Sequence, residues 1–221
     1  MQKIITEDLG LISYSEAWEY QQKLFDEALT KKTAGEEVQN KLLFCEHPHV
    51  ITLGKSGQEN NLLLTKEKLK EKGVEYFHID RGGDITYHGP GQLVVYPIFD
   101  LDSFAIGLKK YIHRLEDVII QLLEDYGIKS ERMEKGTGVW LDLDDTNARK
   151  ICAIGVRSSR FVTMHGLALN VNTDLSYFSL MNPCGFIEKG VTSIERELGN
   201  GSIEMDVIKN RVNELFIKLF N

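Results

Sequence analysis

Twelve residues, Arg81-Gly82-Gly83-Asp84-Ile85-Thr86-Tyr87-His88-Gly89-Pro90-Gly91-Gln92, constrain the fold more than any other part of the chain. Glycines and a proline punctuate two short β-favouring pieces, and Leu93-Val94-Val95-Tyr96-Pro97-Ile98 follows as a strand. A phosphate-binding loop of the G-x-G-x-x-G or G-x-x-x-x-G-K-[ST] kind opens a helix. This one opens a strand and fits neither pattern. Glycine has no Cβ and admits positive φ, so such a loop lets a ligand or another segment approach the backbone. The plain alternative is a structural hairpin, with His88 as a capped-turn histidine.

Periodicity sets the other elements. Ser13-x-x-Glu16 is a capping box, and Ala17, Leu24, Phe25, Ala28 and Leu29 recur at near-helical spacing, so residues 13–32 read as an amphipathic helix. Strands are expected at 42–45 and 50–53 around Pro48, a short charged helix at 65–72 ending at Gly73, and a strand at 74–79. The clearest helix covers 106–126, where Leu108, Tyr111, Ile112, Leu115, Val118, Ile119, Leu122 and Tyr126 form one apolar stripe stopped by Gly127. Strands return at 138–143, 150–156, 161–164 and 167–171, with Asp142 to Asp145 as an exposed hairpin tip. A short helix capped by Thr192-x-x-Glu195 and an amphipathic C-terminal helix close the chain. The order lacks regular βα alternation, so the expected class is α+β: one domain over residues 1–221, with a mixed β-sheet flanked by helices.

Charge and cysteine usage narrow the function classes. Lys and Arg total 26 against 33 Asp and Glu, a formal net charge of −7 in 221 residues. Backbone-driven nucleic-acid binding needs a concentrated positive face and is disfavoured. No window approaches a membrane span and the N-terminus has no apolar leader core, so the expectation is a cytoplasmic protein. Cys45, Cys152 and Cys184 are scattered and odd in number, which suits a reducing compartment.

Cys45-x-His47-x-His49 is a weak metal pattern, because no fourth ligand is visible and Pro48 interrupts the strand; no metal is expected. Cys45 and Cys152 sit in apolar runs and read as buried, inert thiols. Cys184 differs: Met181-Asn182-Pro183-Cys184-Gly185-Phe186 is turn-forming, which suits a thiol at the rim of a site and a nucleophile if a cation lies near. Lys150 stands at the mouth of a buried strand. It reads either as a snorkelling lysine or as one whose pKa is lowered by partial burial, able to take a thiol proton and return it to a leaving group. Strand alternation predicts that Lys150 and Cys152 share a face.

Five blocks, taken together, carry a resemblance: Glu46-His47-Pro48-x-Val50-x-Thr52-Leu53-Gly54, the run from Arg81 to Gln92, Arg149-Lys150-Ile151-x-Ala153-Ile154-Gly155-Val156-Arg157, Met164-His165-Gly166-Leu167-Ala168-Leu169-Asn170-Val171 and Asn182-Pro183-Cys184-Gly185. In this order they resemble the lipoyl(octanoyl) transferases of lipoate biosynthesis. The resemblance implies the fold shared with biotin and lipoate protein ligases, and transfer of an octanoyl group from octanoyl-phosphopantetheine on acyl carrier protein to a lysine of an apo lipoyl domain. The implied acceptors are 2-oxoacid dehydrogenase E2 subunits and the glycine-cleavage H protein. It casts Cys184 as nucleophile and Lys150 as its acid/base partner, and requires no cofactor beyond the donor arm. The implied acyl pocket comprises Arg81, Gly82, Gly83, Asp84, Ile85, Thr86, Tyr87, His88, Ala153, Ile154, Gly155, His165, Gly166, Leu167 and Ala168, with backbone N–H groups of residues 166–168 as an expected oxyanion site.

Acyl carrier proteins are typically acidic, so a local basic rim is expected to steer them, with Arg149, Arg157 and Arg160 favoured over Lys109 and Lys110. A monomer is expected. Competing readings are an ATP-dependent lipoate or biotin ligase, an octanoyl amidotransferase between lipoyl domains, and a non-catalytic module that holds a carrier domain. Cys152, two residues from Lys150, is read as inert or as a redox partner of Cys184.

Overall fold

The computed structural model describes residues 2–134, 136–144, 146–182, 190–199 and 201–221. Its frame is a mixed sheet built from β1 (Ile4–Leu11), β2 (Asn40–Glu46), β6 (Gln92–Ile98), β10 (Val162–Asn170), β9 (Arg149–Ser159), β8 (Val139–Leu141) and β7 (Glu131–Arg132), in that spatial order, with β11 (Gly190–Val191) beside β9. The β1–β2 and β11–β9 pairs are parallel and the others antiparallel. A smaller sheet, in the order β4 (Glu75–His78), β3 (Val50–Leu53), β5 (Ile85–His88), stands beside it.

Helices cover both faces of the large sheet, so its central strands read as nearly continuous apolar runs. Alternation in β2 sends Leu42 and Phe44 into the core under α3 (Leu108–Asp125) and α5 (Met205–Phe220), and Leu43 and Cys45 into the core under α1 (Tyr14–Ala34). Ser13 caps α1 by accepting from the Glu16 N–H at 3.3 Å, and Gly35 ends it at φ 72°. The short helix α2 (Lys66–Glu71) packs on the small sheet with Leu69, and α4 (Ile194–Leu198) sends Ile194 into the α3–α5 core. The α+β class with a mixed sheet flanked by helices is the architecture observed.

Several local expectations change. β1 was not legible, because an edge strand whose residues are at most half-buried and include Glu7 and Asp8 carries little periodic signal. The two strands expected at 161–164 and 167–171 are one strand, β10, running through His165, which adopts φ 59°. Ser193, not Thr192, caps α4 by accepting from the Arg196 N–H at 3.2 Å; the Thr192 hydroxyl instead meets Glu197.

Candidate active site

A cavity of about 600 Å³ opens between the two sheets. Its floor is the face of β9 and β10 that carries Ala153, Gly155, Gly166 and Ala168, with Ala153 opposite Ala168 and Gly155 opposite Gly166. Ala153 and Ala168 keep the floor low, whereas Gly155 and Gly166 admit backbone from neighbouring segments: a Cβ on Gly166 would lie 2.1 Å from the Val95 oxygen. A Cβ on Gly155 would lie 2.8 Å from the Gly82 oxygen and 3.1 Å from Arg81 Cδ, so the loop before β5 rests on the strand there. Gly82 N–H donates to the Val156 oxygen at 2.9 Å. Arg81 is buried and ties the loop to β3, donating to the Thr52 carbonyl at 2.8 Å and the Thr52 hydroxyl at 3.0 Å.

The residues expected at the pocket separate into those that line it and one that does not. Arg81, Gly82, Gly83, Asp84, Ile85, Thr86, His88, Ala153, Ile154, Gly155, His165, Gly166, Leu167 and Ala168 all border the cavity, and so does Lys150. Tyr87 does not. It alternates to the other face of β5, stacks on Tyr177 at 5.0 Å and hydrogen-bonds His49 at 2.7 Å. Cys184 lies outside the described residues. The described chain on either side is anchored: the Asn182 N–H donates to the Asn61 oxygen at 2.8 Å, while Gly190 and Val191 pair with Arg149 and Lys150 and border the cavity.

Lys150 and Cys152 do not share a face, contrary to simple alternation. Val139 pairs with Cys152 but Trp140 pairs with Lys150, so Ile151 is an extra residue, a β-bulge in β9. The bulge sends Ile151 and Cys152 together into the α3–α5 core and turns Lys150 to the cavity, its Nζ 4.6 Å from the Trp140 ring centroid. Burial pushes the Cys152 thiol well above its ordinary pKa, as it does Cys45. The redox reading of Cys152 thereby loses its geometric basis. The oxyanion expectation also changes: β10 lies between β6 and β9, so the backbone N–H groups of Leu167 and Ala168 are engaged in the sheet.

Buried and half-buried polar groups lie on the rest of the wall, such as His88 and His165, or directly behind it, such as His47 and Asp80. Burial pushes His88 down to about 3 and His47 to about 4, so both imidazoles are neutral at pH 7. His47 bonds the Ile12 carbonyl at 2.8 Å and the Tyr96 hydroxyl at 2.7 Å, 3.5 Å from the Cys45 sulfur, whereas His49 belongs to the small sheet. Among the described residues no three His, Cys, Asp or Glu side chains cluster as metal ligands. Asp80 accepts from His165 Nε2 at 2.9 Å and pairs with Arg157, and the histidine contact holds its carboxyl below the usual range. Tyr14, Gln92, Trp140 and Asn170 also line the cavity. Gln92 and Asn170 stood within recognised motifs, but nothing in the spacing of Tyr14 or Trp140 points to a site.

The expected basic rim is largely consumed internally. Arg149 donates to Glu197 at 2.7 Å and to Asp142 at 2.5 Å, Arg157 pairs with Asp80, and Arg160 donates to Thr33 at 2.6 Å. Lys109 and Lys110 are exposed at the start of α3. No helix of the described residues is long and apolar enough to cross a membrane.

Residues 13–217 match the family described as the lipoyl protein ligase A/B catalytic domain. The octanoyltransferase of Bacteroides fragilis is 60% identical over 210 residues, 95% of this chain and 95% of that one. That of Bacteroides thetaiotaomicron is 56% identical over 219 residues, 99% and 96% of the two chains. Among solved structures, P. falciparum LipL1 in complex with lipoate matches at TM-score 0.73 and 12% identity, covering 99% of this chain and 62% of that one. A putative lipoate protein ligase from T. acidophilum matches at TM-score 0.71 and 15% identity, covering 99% and 85%. These structural likenesses speak to the fold. With the sequence matches spanning nearly its whole length, the chain belongs to the lipoyl protein ligase A/B catalytic-domain family, alongside the octanoyltransferases.

Proposed function

We propose that this enzyme, an acyltransferase of lipoate biosynthesis, moves an octanoyl group from the phosphopantetheine thioester of acyl carrier protein to a lysine of an apo lipoyl domain through a thioester on Cys184. The observation that carries the reading is the cavity itself: a space bordered by Gly and Ala side by side on β9 and β10, with Lys150 on its wall. An eight-carbon tail fits such a floor, and burial contributes about 0.8 kcal/mol per methylene, enough to sense chain length.

In the first half-reaction the Cys184 sulfur, its proton taken by Lys150, attacks the octanoyl carbonyl. The carbonyl–sulfur bond to the donor arm breaks, and the departing thiolate receives the proton from Lys150. In the second, the acceptor lysine amine attacks the Cys184 thioester, a C–N bond forms, the C–S bond breaks, and the amine proton returns to the Cys184 thiolate by way of Lys150. The first exchange is nearly isoenergetic and the second runs from thioester to amide, downhill. Neither step calls for ATP. A reducing compartment would keep a nucleophilic thiol free, which supports a cytoplasmic location.

Incubation with octanoyl-acyl carrier protein and no ATP should leave the protein heavier by one octanoyl group in an intact mass spectrum. Cys184→Ala should lose both the adduct and transfer to a lipoyl domain. Wild-type transfer by Cys184→Ala, or loading only when ATP and free octanoate are supplied, overturns the reading in favour of ligase chemistry.

A further inference from the structure

The cavity wall holds an imidazole, that of His88, whose hydrogen-bonding role is decided by its neighbours. His88 Nδ1 lies 2.8 Å from Gln92 Oε1. The orientation of Gln92 is itself set, because its amide nitrogen donates to the Tyr87 carbonyl at 3.2 Å and to Asn170 Oδ1 at 2.9 Å, and Asn170 Nδ2 donates to the Thr192 carbonyl at 2.9 Å. The Thr192 N–H in turn donates to the Lys150 carbonyl at 3.0 Å. A continuous chain of hydrogen bonds thus runs from the Lys150 backbone to the His88 ring. Every donor and acceptor along it is assigned, so Nδ1 carries the proton and Nε2 presents a lone pair.

His88 is buried, but among the described residues Nε2 has no partner, and it is not among the sealed polar atoms; the ring borders the cavity. Tyr14 of α1 stacks on the ring at 6.0 Å and His47 meets it edge-on at 6.0 Å, while Arg81 and His165 are the further titratable groups that act on it. Burial, together with His47, Arg81 and His165, disfavours a positive ring. His88 is therefore unsuited to take a proton and well suited to accept a hydrogen bond.

We propose that His88 Nε2 accepts a hydrogen bond from the amine of the incoming acceptor lysine, strengthening as that nitrogen becomes positively charged in attacking the thioester. The inference rests on the two-step transfer proposed above. The nitrogen acquires charge only as its bond to the carbonyl carbon forms, so the interaction is stronger in the transition state than before it. In the loading step the attacking atom is sulfur, with no N–H to offer. His88 is thus a catalytic hydrogen-bond acceptor in aminolysis and not in loading.

The two half-reactions separate the idea from a structural role. Asn in place of histidine reproduces the donor to Gln92 but has no atom at the Nε2 position; Gln reproduces an acceptor at that position. His88→Asn is expected to slow transfer from pre-loaded enzyme about ten- to hundredfold more than it slows loading, in kcat rather than in KM for the lipoyl domain. His88→Gln should recover most of that difference. Equal slowing of both half-reactions in His88→Asn, no slowing of transfer, or a His88→Gln variant as defective in transfer as His88→Asn, overturns the proposal. Absence of an octanoyl adduct on the wild-type protein would instead strike at the two-step transfer itself.

Discussion

The two faces of β9 and β10 are made by the same strands and do opposite things. Toward α3 and α5 they present Ile151, Cys152, Ile154, Leu167 and Leu169, apolar side chains packed into one core, of which Ile154 and Leu167 also border the cavity. Toward the small sheet they present Lys150, Ala153, Gly155, Gly166, Ala168 and Asn170, which border the cavity. One face buries apolar surface. The other packs Val162, Met164 and Ala168 into the core under α1 but leaves beside them a void of about 600 Å³ with polar groups buried around it. Space for a ligand is left where the floor carries only the small side chains of Ala153 and Ala168, and the core behind it stabilises these strands.

Filling the void should give the largest effect. Ala153→Leu puts three further carbons on the cavity floor and displaces a comparable length of acyl tail, so octanoyl transfer should fall about fiftyfold, at about 0.8 kcal/mol per methylene, with four-carbon thioesters hardly affected. Rates measured along a series of acyl-carrier thioesters test this; equal losses at every chain length would mean that the tail does not lie along this face. On the opposite face, Leu169→Ala should destabilise the fold by about 2–5 kcal/mol in urea unfolding while each folded molecule keeps its activity. Lost turnover without lost stability would erase the distinction between the faces.

Acid should sharpen the contrast more gently. His47 and His88 are held at about 4 and about 3, chiefly by burial, below the ordinary value of 6.5. A folded pKa below the unfolded one means that the unfolded chain binds more protons. Their stabilising contribution is therefore complete above pH 6.5 and is lost as pH falls toward 4, by up to about 1.4 kcal/mol per pH unit for each histidine. The urea midpoint should drop between pH 7 and pH 5; equal midpoints would show that these rings are accessible to water and that the polar wall is not desolvated.

Much of this was legible one residue at a time. The α3 stripe and the Ser13 cap follow from periodicity and capping pattern, which are local properties, whereas the Gly and Ala positions at 153, 155, 166 and 168 follow from the family resemblance. Tyr87 falls outside the lining expected for the run from Arg81 to His88, because strand pleating turns it away from Thr86 and His88. Cys152 was paired with Lys150 by that same alternation, and there the rule failed for the opposite reason: an extra residue at Ile151 inverts the face. A bulge leaves no mark in a lone apolar run such as Lys150-Ile151-Cys152.

What the amino-acid order determined by itself was the inventory: a strand-forming glycine loop, a mixed α+β alternation, candidate reactive groups at Lys150 and Cys184, and family blocks in a set order. Tertiary structure alone decided which of these meet. Only the packed sheets commit His88 to an acceptor role through Gln92, Asn170 and Thr192, spend the arginine rim on Glu197, Asp142 and Asp80, and send Cys152 into the core. The reason is physical: composition and period act along the chain, whereas hydrogen-bond partners, desolvation and strand register are set by residues far apart in sequence that packing brings within a few ångströms.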